Sequence, residues 1–153
     1  MIATIGIGLP GVGKTTRLKK LAAESGAVYI CPDDIRVELT GNADDQSRNS
    51  EVWDVAYQRM DAELAAGRDI VVDATSARRG DRMKLVARCR QGADRIVGVW
   101  FTAPYRVCLH RNQQRERVVP EFSMGLMAGW LEAYPPSEAE GFDEVVKVNT
   151  CER

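Results

Sequence analysis

At 153 residues, 44% hydrophobic and 28% charged, the chain has the size and composition of one ordinary globular domain, with core enough to fold without disulfide staples. Lys plus Arg number 21 against 22 Asp plus Glu, a net charge of −1, so no global positive field draws it to nucleic acid or membrane, and a phosphate-rich partner must be met by a local cluster. Four dispersed cysteines (Cys31, Cys89, Cys108, Cys151) and the single His110 argue against a disulfide framework or a Cys/His zinc site; no run reaches the roughly 18 apolar residues of a membrane span, and a reducing, cytoplasmic setting is expected.

Residues 2–7 form a short apolar run ending in glycines, and residues 14–24 follow with Leu18, Leu21 and Ala22 at helical spacing: strand, glycine-rich turn, helix. Residues 27–31 read as a second strand stopped by Pro32, after which Asp33 or Asp34 can cap a short helix carrying Ile35, Val37 and Leu39. Residues 41–49 are polar and predict a loop. Residues 50–66 place Val52, Ala56, Met60 and Leu64 four apart and predict an amphipathic helix ended by a left-handed Gly67, with a third strand over 69–73. A helix over 79–91 is expected to bury Met83, Val86, Ala87 and Arg90, with Gly92 ending it as Gly67 ends its own. Residues 95–102 are a fourth strand and 105–115 a helix. After a basic polar turn, Pro120 opens a helix with Phe122, Leu126 and Trp130 on one face, and 144–149 is the last strand. Trp130, Leu131 and Tyr134 are expected in the core, a dimer face being the alternative. Strands apolar on both sides and alternating with helices imply a parallel sheet covered on both faces, an α/β fold.

Gly8-Leu9-Pro10-Gly11-Val12-Gly13-Lys14-Thr15 fits G-x-x-x-x-G-K-[ST] and falls at a strand-to-helix junction, where such a loop must sit to work. The glycines let backbone N–H groups curl inward at phosphate oxygens, the helix N-terminus adds partial positive charge, and Lys14 can reach β- and γ-phosphates. Thr15 would give its hydroxyl to Mg²⁺. A glycine-rich turn that binds nothing is the bland alternative, and it leaves Lys14 unexplained. Gly8, Gly11, Val12, Gly13, Lys14, Thr15 and Thr16 are therefore the candidate nucleotide contacts.

A phosphate loop alone does not separate a switch, a motor and a kinase; the acids and arginines at the other strand ends carry that distinction. Asp33 and Arg36 follow the second strand one helical turn apart: the carboxylate can take a proton from an attacking hydroxyl, and the guanidinium can hold a substrate phosphate. Taken alone they would be an N-cap and a solvated arginine. Asp73 ends the third strand, where a carboxylate can hold a magnesium-bound water, brace a neighbouring arginine or merely cap. Arg106, Arg111, Arg115 and Arg117 follow the fourth strand. Arg111 and Arg115 are expected on one helix face, suited to a mobile lid that stabilises charge on a transferring phosphoryl group. Arg78, Arg79 and Arg82 make a further basic patch, either a polyanion contact or solvated surface.

Together these residues resemble the kinase domain of the phage and bacterial polynucleotide 5′-hydroxyl kinases and the small P-loop kinases around it. The resemblance runs over nearly the whole chain, through residues 8–16, Asp33-Asp34-Ile35-Arg36, Val71-Val72-Asp73-Ala74-Thr75, Arg111-Asn112-Gln113-Gln114-Arg115 with Val119-Pro120, and Glu140-Gly141-Phe142. It implies a single P-loop kinase domain over 1–153, with five parallel strands in the order 2-3-1-4-5, and transfer from ATP with Mg²⁺. Asp33 resembles the general base and Arg36 the substrate-phosphate contact, with Lys14 and Thr15 serving ATP and metal and Arg111 and Arg115 in the lid. The implied acceptor is the 5′-OH end of DNA or RNA; the alternatives are hydroxymethylated pyrimidine bases in DNA, or a sugar, nucleoside or antibiotic hydroxyl. Ser76 stands where the family commonly has Asn after Asp-Ala-Thr, which puts one amide contact in question.

Overall fold

In the computed structural model, which describes residues 1–151, the strands are β1 (Ile2–Ile7), β2 (Val28–Ile30), β3 (Ile70–Asp73), β4 (Arg95–Thr102) and β5 (Glu144–Asn149). The last two residues of the expected 1–153 unit lie outside the described residues. Every pairing is parallel and the order is β2-β3-β1-β4-β5, as the resemblance implied. Between the strands run α1 (Lys14–Ser25), α2 (Pro32–Thr40), α3 (Asn49–Ala65), α4 (Arg79–Arg90), α5 (Tyr105–Gln113) and α6 (Glu121–Ala133), and one 3₁₀ turn, Glu138–Glu140, precedes β5.

The period of two along a strand sorts its side chains between two cores. Ala3, Ile5, Ile7, Ile70, Val72 and Ile96 pack with Val52, Ala56, Met60 and Leu64 of α3 and with Leu85 and Val86 of α4. Val71 and Phe101 point the other way, against Leu18 and Ala22 of α1, Cys108 of α5 and Met124 of α6. Gly6 and Gly98 sit where a helix or an aromatic ring presses on the sheet: a Cβ on Gly6 would come within 2.3 Å of Leu18 Cδ1, and one on Gly98 within 3.0 Å of the Phe142 ring.

Helix phase is where expectation and structure part. In α4 the buried residues are Arg82, Leu85, Val86 and Cys89, while Met83 is exposed, so the helix is turned by about one residue, some 100°, from the expected face. In α6 the buried stripe is Met124 and Leu131, with Met127 packed beside them; Phe122 is 77% exposed and Leu126, Trp130 and Tyr134 are also on the surface. The α6 sequence is apolar nearly all round, so its period fixes a helix but not which side faces inward. Val37 and Leu21 are likewise exposed.

Helix ends correct three details. Cys31 caps α2 and Pro32 opens it, which puts Asp33 and Asp34 in the first turn rather than at the cap. Gly67 has the expected left-handed backbone, but Gly92 does not; a Cβ there would press to 3.2 Å on Leu64 Cβ, so packing explains that glycine. α5 stops at Gln113, short of Arg115, because the Asn112 side chain clips the returning chain: its amide nitrogen donates to the Val119 carbonyl (2.8 Å), and its oxygen accepts from the Val119 N–H (3.1 Å).

Arg82 is the largest departure from its expected solvated setting. It is 0% exposed; its Nε and Nη2 donate to Glu140 at 2.8 and 2.6 Å, and other N–H groups donate to the carbonyls of Ser76, Ala77 and Tyr134. One guanidinium thus fastens the β3–α4 loop, the end of α6 and the turn before β5. Removing one partner of a buried pair leaves the other charge unpaired, so Arg82→Ala is expected to lower unfolding free energy by about 3–5 kcal/mol, whereas Arg79→Ala, whose side chain is half exposed and 3.6 Å from Glu140, should stay within about 1 kcal/mol. Urea denaturation of the two variants checks both.

Candidate active site

The loop between β1 and α1 closes over the carboxyl end of the sheet. Gly8 donates its N–H to the Thr75 carbonyl (3.0 Å), and the Val12 N–H turns back to Leu9 (3.1 Å). Gly11 and Gly13 carry φ of 82° and 95°, a left-handed backbone that costs other residues energy. Gly11 is doubly constrained, because a Cβ there would stand 2.5 Å from the Cys108 carbonyl oxygen of α5. Gly13 caps α1, so the free N–H groups of the helix start face the loop. A cavity of about 300 Å³ is lined by Gly11, Gly13, Lys14, Thr15, Thr16 and the two arginines Arg111 and Arg115. Gly8 and Val12 line none of it: Gly8 ties the loop to Thr75, and the Val12 side chain is buried beneath the loop.

Parallel pairing sets Gly6 beside Asp73, which brings the end of β3 under the start of α1. Asp73 is 3% exposed. Lys14 Nζ lies 2.8 Å from its Oδ1 as an ion pair, while the Thr15 hydroxyl (2.8 Å) and the Tyr29 phenol both donate to Oδ2. Burial pushes the Asp73 carboxyl up, but the Lys14 charge and the bonds from Lys14, Tyr29 and Thr15 outweigh it and hold the group below the ordinary carboxylate range. Burial, then the bond to Asp73, push the Tyr29 phenol well up, so it stays a donor. The sequence reading anticipated an arginine or a magnesium-bound water as the partner of Asp73; a lysine and two hydroxyls hold it instead. Tyr29 was missed, its only signal being a phenol in an otherwise apolar strand.

Asp33 and Arg36 do meet, Arg36 Nη1 donating to Asp33 Oδ1 at 2.6 Å. Arg36 is 5% exposed and its Nη2 donates to Asn49 Oδ1 (2.6 Å), while Nε is buried with no partner. Asn49, expected in a loop, opens α3 and is a second residue missed. From the turn after α5, Arg117 reaches back with Nη1 3.1 Å from Asp33 Oδ2 and Nε 2.6 Å from Asp44 Oδ1, so one side chain spans the mouth. Asp33, Arg36 and Arg117, with Lys14, Thr15, Asp73 and Arg115, line a cavity of about 460 Å³.

The two lid candidates part company. Arg111 donates to the Val12 carbonyl (3.1 Å) and the Thr150 hydroxyl (3.2 Å), bracing the loop from behind. Arg115 lies beyond the helix, not one turn along the same face; it makes no ion pair among the described residues and lines both cavities, at the junction where a phosphoryl group would cross. Ser76 is buried with φ 49°, a backbone position where Asn is favoured over other L residues, and its carbonyl accepts from Arg82.

The donors fit a nucleoside triphosphate with Mg²⁺: inward N–H groups, a lysine at a helix start, a threonine hydroxyl, and a carboxylate behind it. Among the described residues no three His, Cys, Asp or Glu gather to hold a metal unaided, so the ion would ride on the phosphates and meet Thr15. Mg²⁺ would supply neutralisation of β- and γ-oxygen charge.

Because the folded carboxyl of Asp73 titrates below its unfolded range, its contribution to stability is complete above about pH 4 and disappears as pH falls through the lowered value. Asp73→Asn should therefore cost about 2 kcal/mol at pH 7, a gap that closes on acidification; urea denaturation of both proteins between pH 7 and 3 measures it. Arg117→Ala removes two ion pairs to exposed carboxylates and should change stability by under about 1 kcal/mol, while trypsin cleavage after Arg115 accelerates because the tip of the turn loses both ion pairs. Timed digestion read by mass spectrometry checks the second effect.

Solved structures share the architecture. A sugar kinase from a Janibacter species superposes with a TM-score of 0.66 at 19% identity, covering 99% of this chain and 86% of its own. The structure of the Pnkp1/Rnl/Hen1 RNA repair complex contains a chain with a TM-score of 0.78 at 20% identity, covering 93% of this chain and 46% of that one. Chaetomium thermophilum Kti12 in complex with ADP-AlF3 gives 0.70 at 15% identity, covering 99% and 90%. At such identities the likeness establishes the fold, a P-loop kinase-like α/β sheet. Among the described residues no helix is long and apolar enough to cross a membrane. The family model described as an AAA domain matches residues 4–133, which takes in the phosphate loop, Asp33, Arg36, Asp73 and Arg115, and the chain belongs to that family.

Proposed function

We propose that the protein is an ATP-dependent kinase acting as one unit over 1–153 and phosphorylating a hydroxyl on a nucleic acid, the 5′-OH end of DNA or RNA, in a reducing cytoplasm. The observation that carries this is Arg36: a guanidinium buried beside Asp33 and the phosphate loop whose Nε has no partner. A buried donor left unpaired is costly, and the phosphate that follows the terminal nucleoside, attached through its 3′-oxygen across the sugar from the acceptor hydroxyl, would satisfy it with charge assistance. Asp33 supplies the acceptor for the hydroxyl proton. In the reaction the acceptor oxygen bonds to the γ-phosphorus, the bond from that phosphorus to the β–γ bridging oxygen breaks, the proton passes to the Asp33 carboxylate, and ADP leaves. Lys14 and Arg115 line both cavities and would meet the charge that develops where they join. Arg117 must release Asp33 before a hydroxyl can take its place, which gives the turn after α5 the character of a lid.

The Pnkp1 likeness is compatible with this reading. A small-molecule kinase is the second reading, favoured by the Janibacter sugar kinase and a Sinorhizobium meliloti gluconokinase, both of which cover 99% of this chain; kinases of hydroxymethylated pyrimidines in DNA form a third. Purified protein with Mg²⁺ and γ-labelled ATP, offered 5′-OH DNA and RNA beside the same strands already 5′-phosphorylated, separates them. Label should enter only 5′-OH ends, and Asp33→Ala should lower turnover by about 10²–10⁴-fold while ATP binding persists. Transfer instead to a strand carrying a hydroxymethylated base, or to sugars and nucleosides alone, would replace the polynucleotide reading.

A further inference from the structure

Next to the transfer cavity lies another, of about 540 Å³, which phosphoryl transfer itself leaves unused; the two share Trp53, Ala74, Thr75, Asp81 and Met127 as a common wall. Its character is different. Two of the three tryptophans in the chain, Trp53 of α3 and Trp130 of α6, stand in its lining with Tyr57. Trp53 and Tyr57 are 5.6 Å apart between ring centroids, and the Arg78 guanidinium sits 5.1 Å from the centroid of Trp130. Trp130 stays 37% exposed although its apolar area would have favoured the core, a local conflict that natural folds tolerate mainly where a site needs the side chain.

Charge tells the cavities apart as well. On the transfer side Lys14, Arg36, Arg115 and Arg117 outnumber Asp33, Asp73 and the shared Asp81, a surplus that suits phosphate. In the aromatic cavity Asp54 and Asp81 balance Arg78 and Lys84, so a second phosphate would gain no net attraction there. A flat, uncharged heterocycle with N–H groups for the two carboxylates matches both the rings and the charge. Resting on the polynucleotide reading above, we propose that this cavity receives the base of the acceptor's 5′-terminal nucleoside, stacked against the Trp53 and Trp130 walls, while its 5′-hydroxyl faces Asp33 and its following phosphate meets Arg36.

The test compares two 5′-OH oligonucleotides identical except that the terminal nucleoside of one lacks its base. For the wild type, kcat/KM should fall about 5- to 150-fold on the abasic end, through KM, the range base stacking on aromatic side chains gives. Trp130→Ala, a surface change, and Trp53→Leu should each bring that ratio towards one, whereas Phe122→Ala, on α6 but outside both cavities, should keep it. Equal kcat/KM for the two ends in the wild type, or an undiminished ratio in Trp130→Ala, overturns the base site and leaves the polynucleotide reading standing. No transfer to either end, with ATP bound, overturns that reading and the base site with it.

Discussion

One buried carboxylate organises the nucleotide side of this molecule. Asp73 ends β3, between β2 and the central β1, under the phosphate loop and is held by Lys14, Thr15 and Tyr29 from two other segments. Taking a carboxylate out of water is costly, and only a full set of donors offsets it. The same set positions the loop: the lysine and threonine that would serve the phosphates and the metal have their side chains located by Asp73 before any ligand arrives, which is preorganisation in the sense that matters for charge stabilisation. Lys14 can exchange part of its pairing with Asp73 for a phosphate, so the pocket exchanges one anion for another rather than exposing a bare ammonium.

A second buried charge does the corresponding task beside the two larger cavities. Arg82 and Glu140 join α4, the turn before β5, the loop that follows Asp73 through the Ser76 and Ala77 carbonyls, and the end of α6 through the Tyr134 carbonyl. That loop supplies Thr75, whose carbonyl holds Gly8 and which is part of the wall between the two large cavities. Phosphate loop and acceptor groove are thereby parts of one hydrogen-bonded frame, and the left-handed Ser76 is the bend that allows it.

Against this frame the turn after α5 is held lightly. Asn112 clips its base to Val119, Arg111 braces the phosphate loop, and Arg117 closes the mouth through exposed carboxylates on α2 and the loop beyond it. A segment anchored by partly solvated ion pairs opens at small cost, which is the property a lid needs.

The succession of strands and helices along the chain, the phosphate loop and the Asp33–Arg36 pair were legible because they depend on local rules: apolar runs for strands, glycines where the backbone must turn left, and a helical turn that brings i and i+3 together; the order of strands in the sheet came only from the family resemblance. Sequence also marked Asp73 by its place at a strand end, since parallel sheets gather their ligands there. What it left undecided were the choices between neighbours of similar chemistry. α6 is apolar on nearly every side, so only packing against the sheet chose Met124 and Leu131 over Phe122 and Leu126. Arg82, Arg78 and Arg79 look alike in the chain, yet only the fold brings Glu140, 58 residues away, to bury one of them. Tyr29, Asn49 and Arg117 entered the site in the same manner, through partners distant in sequence. Local sequence determined the elements and the chemistry at their ends; tertiary structure decided which side of each element was dry and which charges faced each other, because burial and pairing are properties of the space between segments.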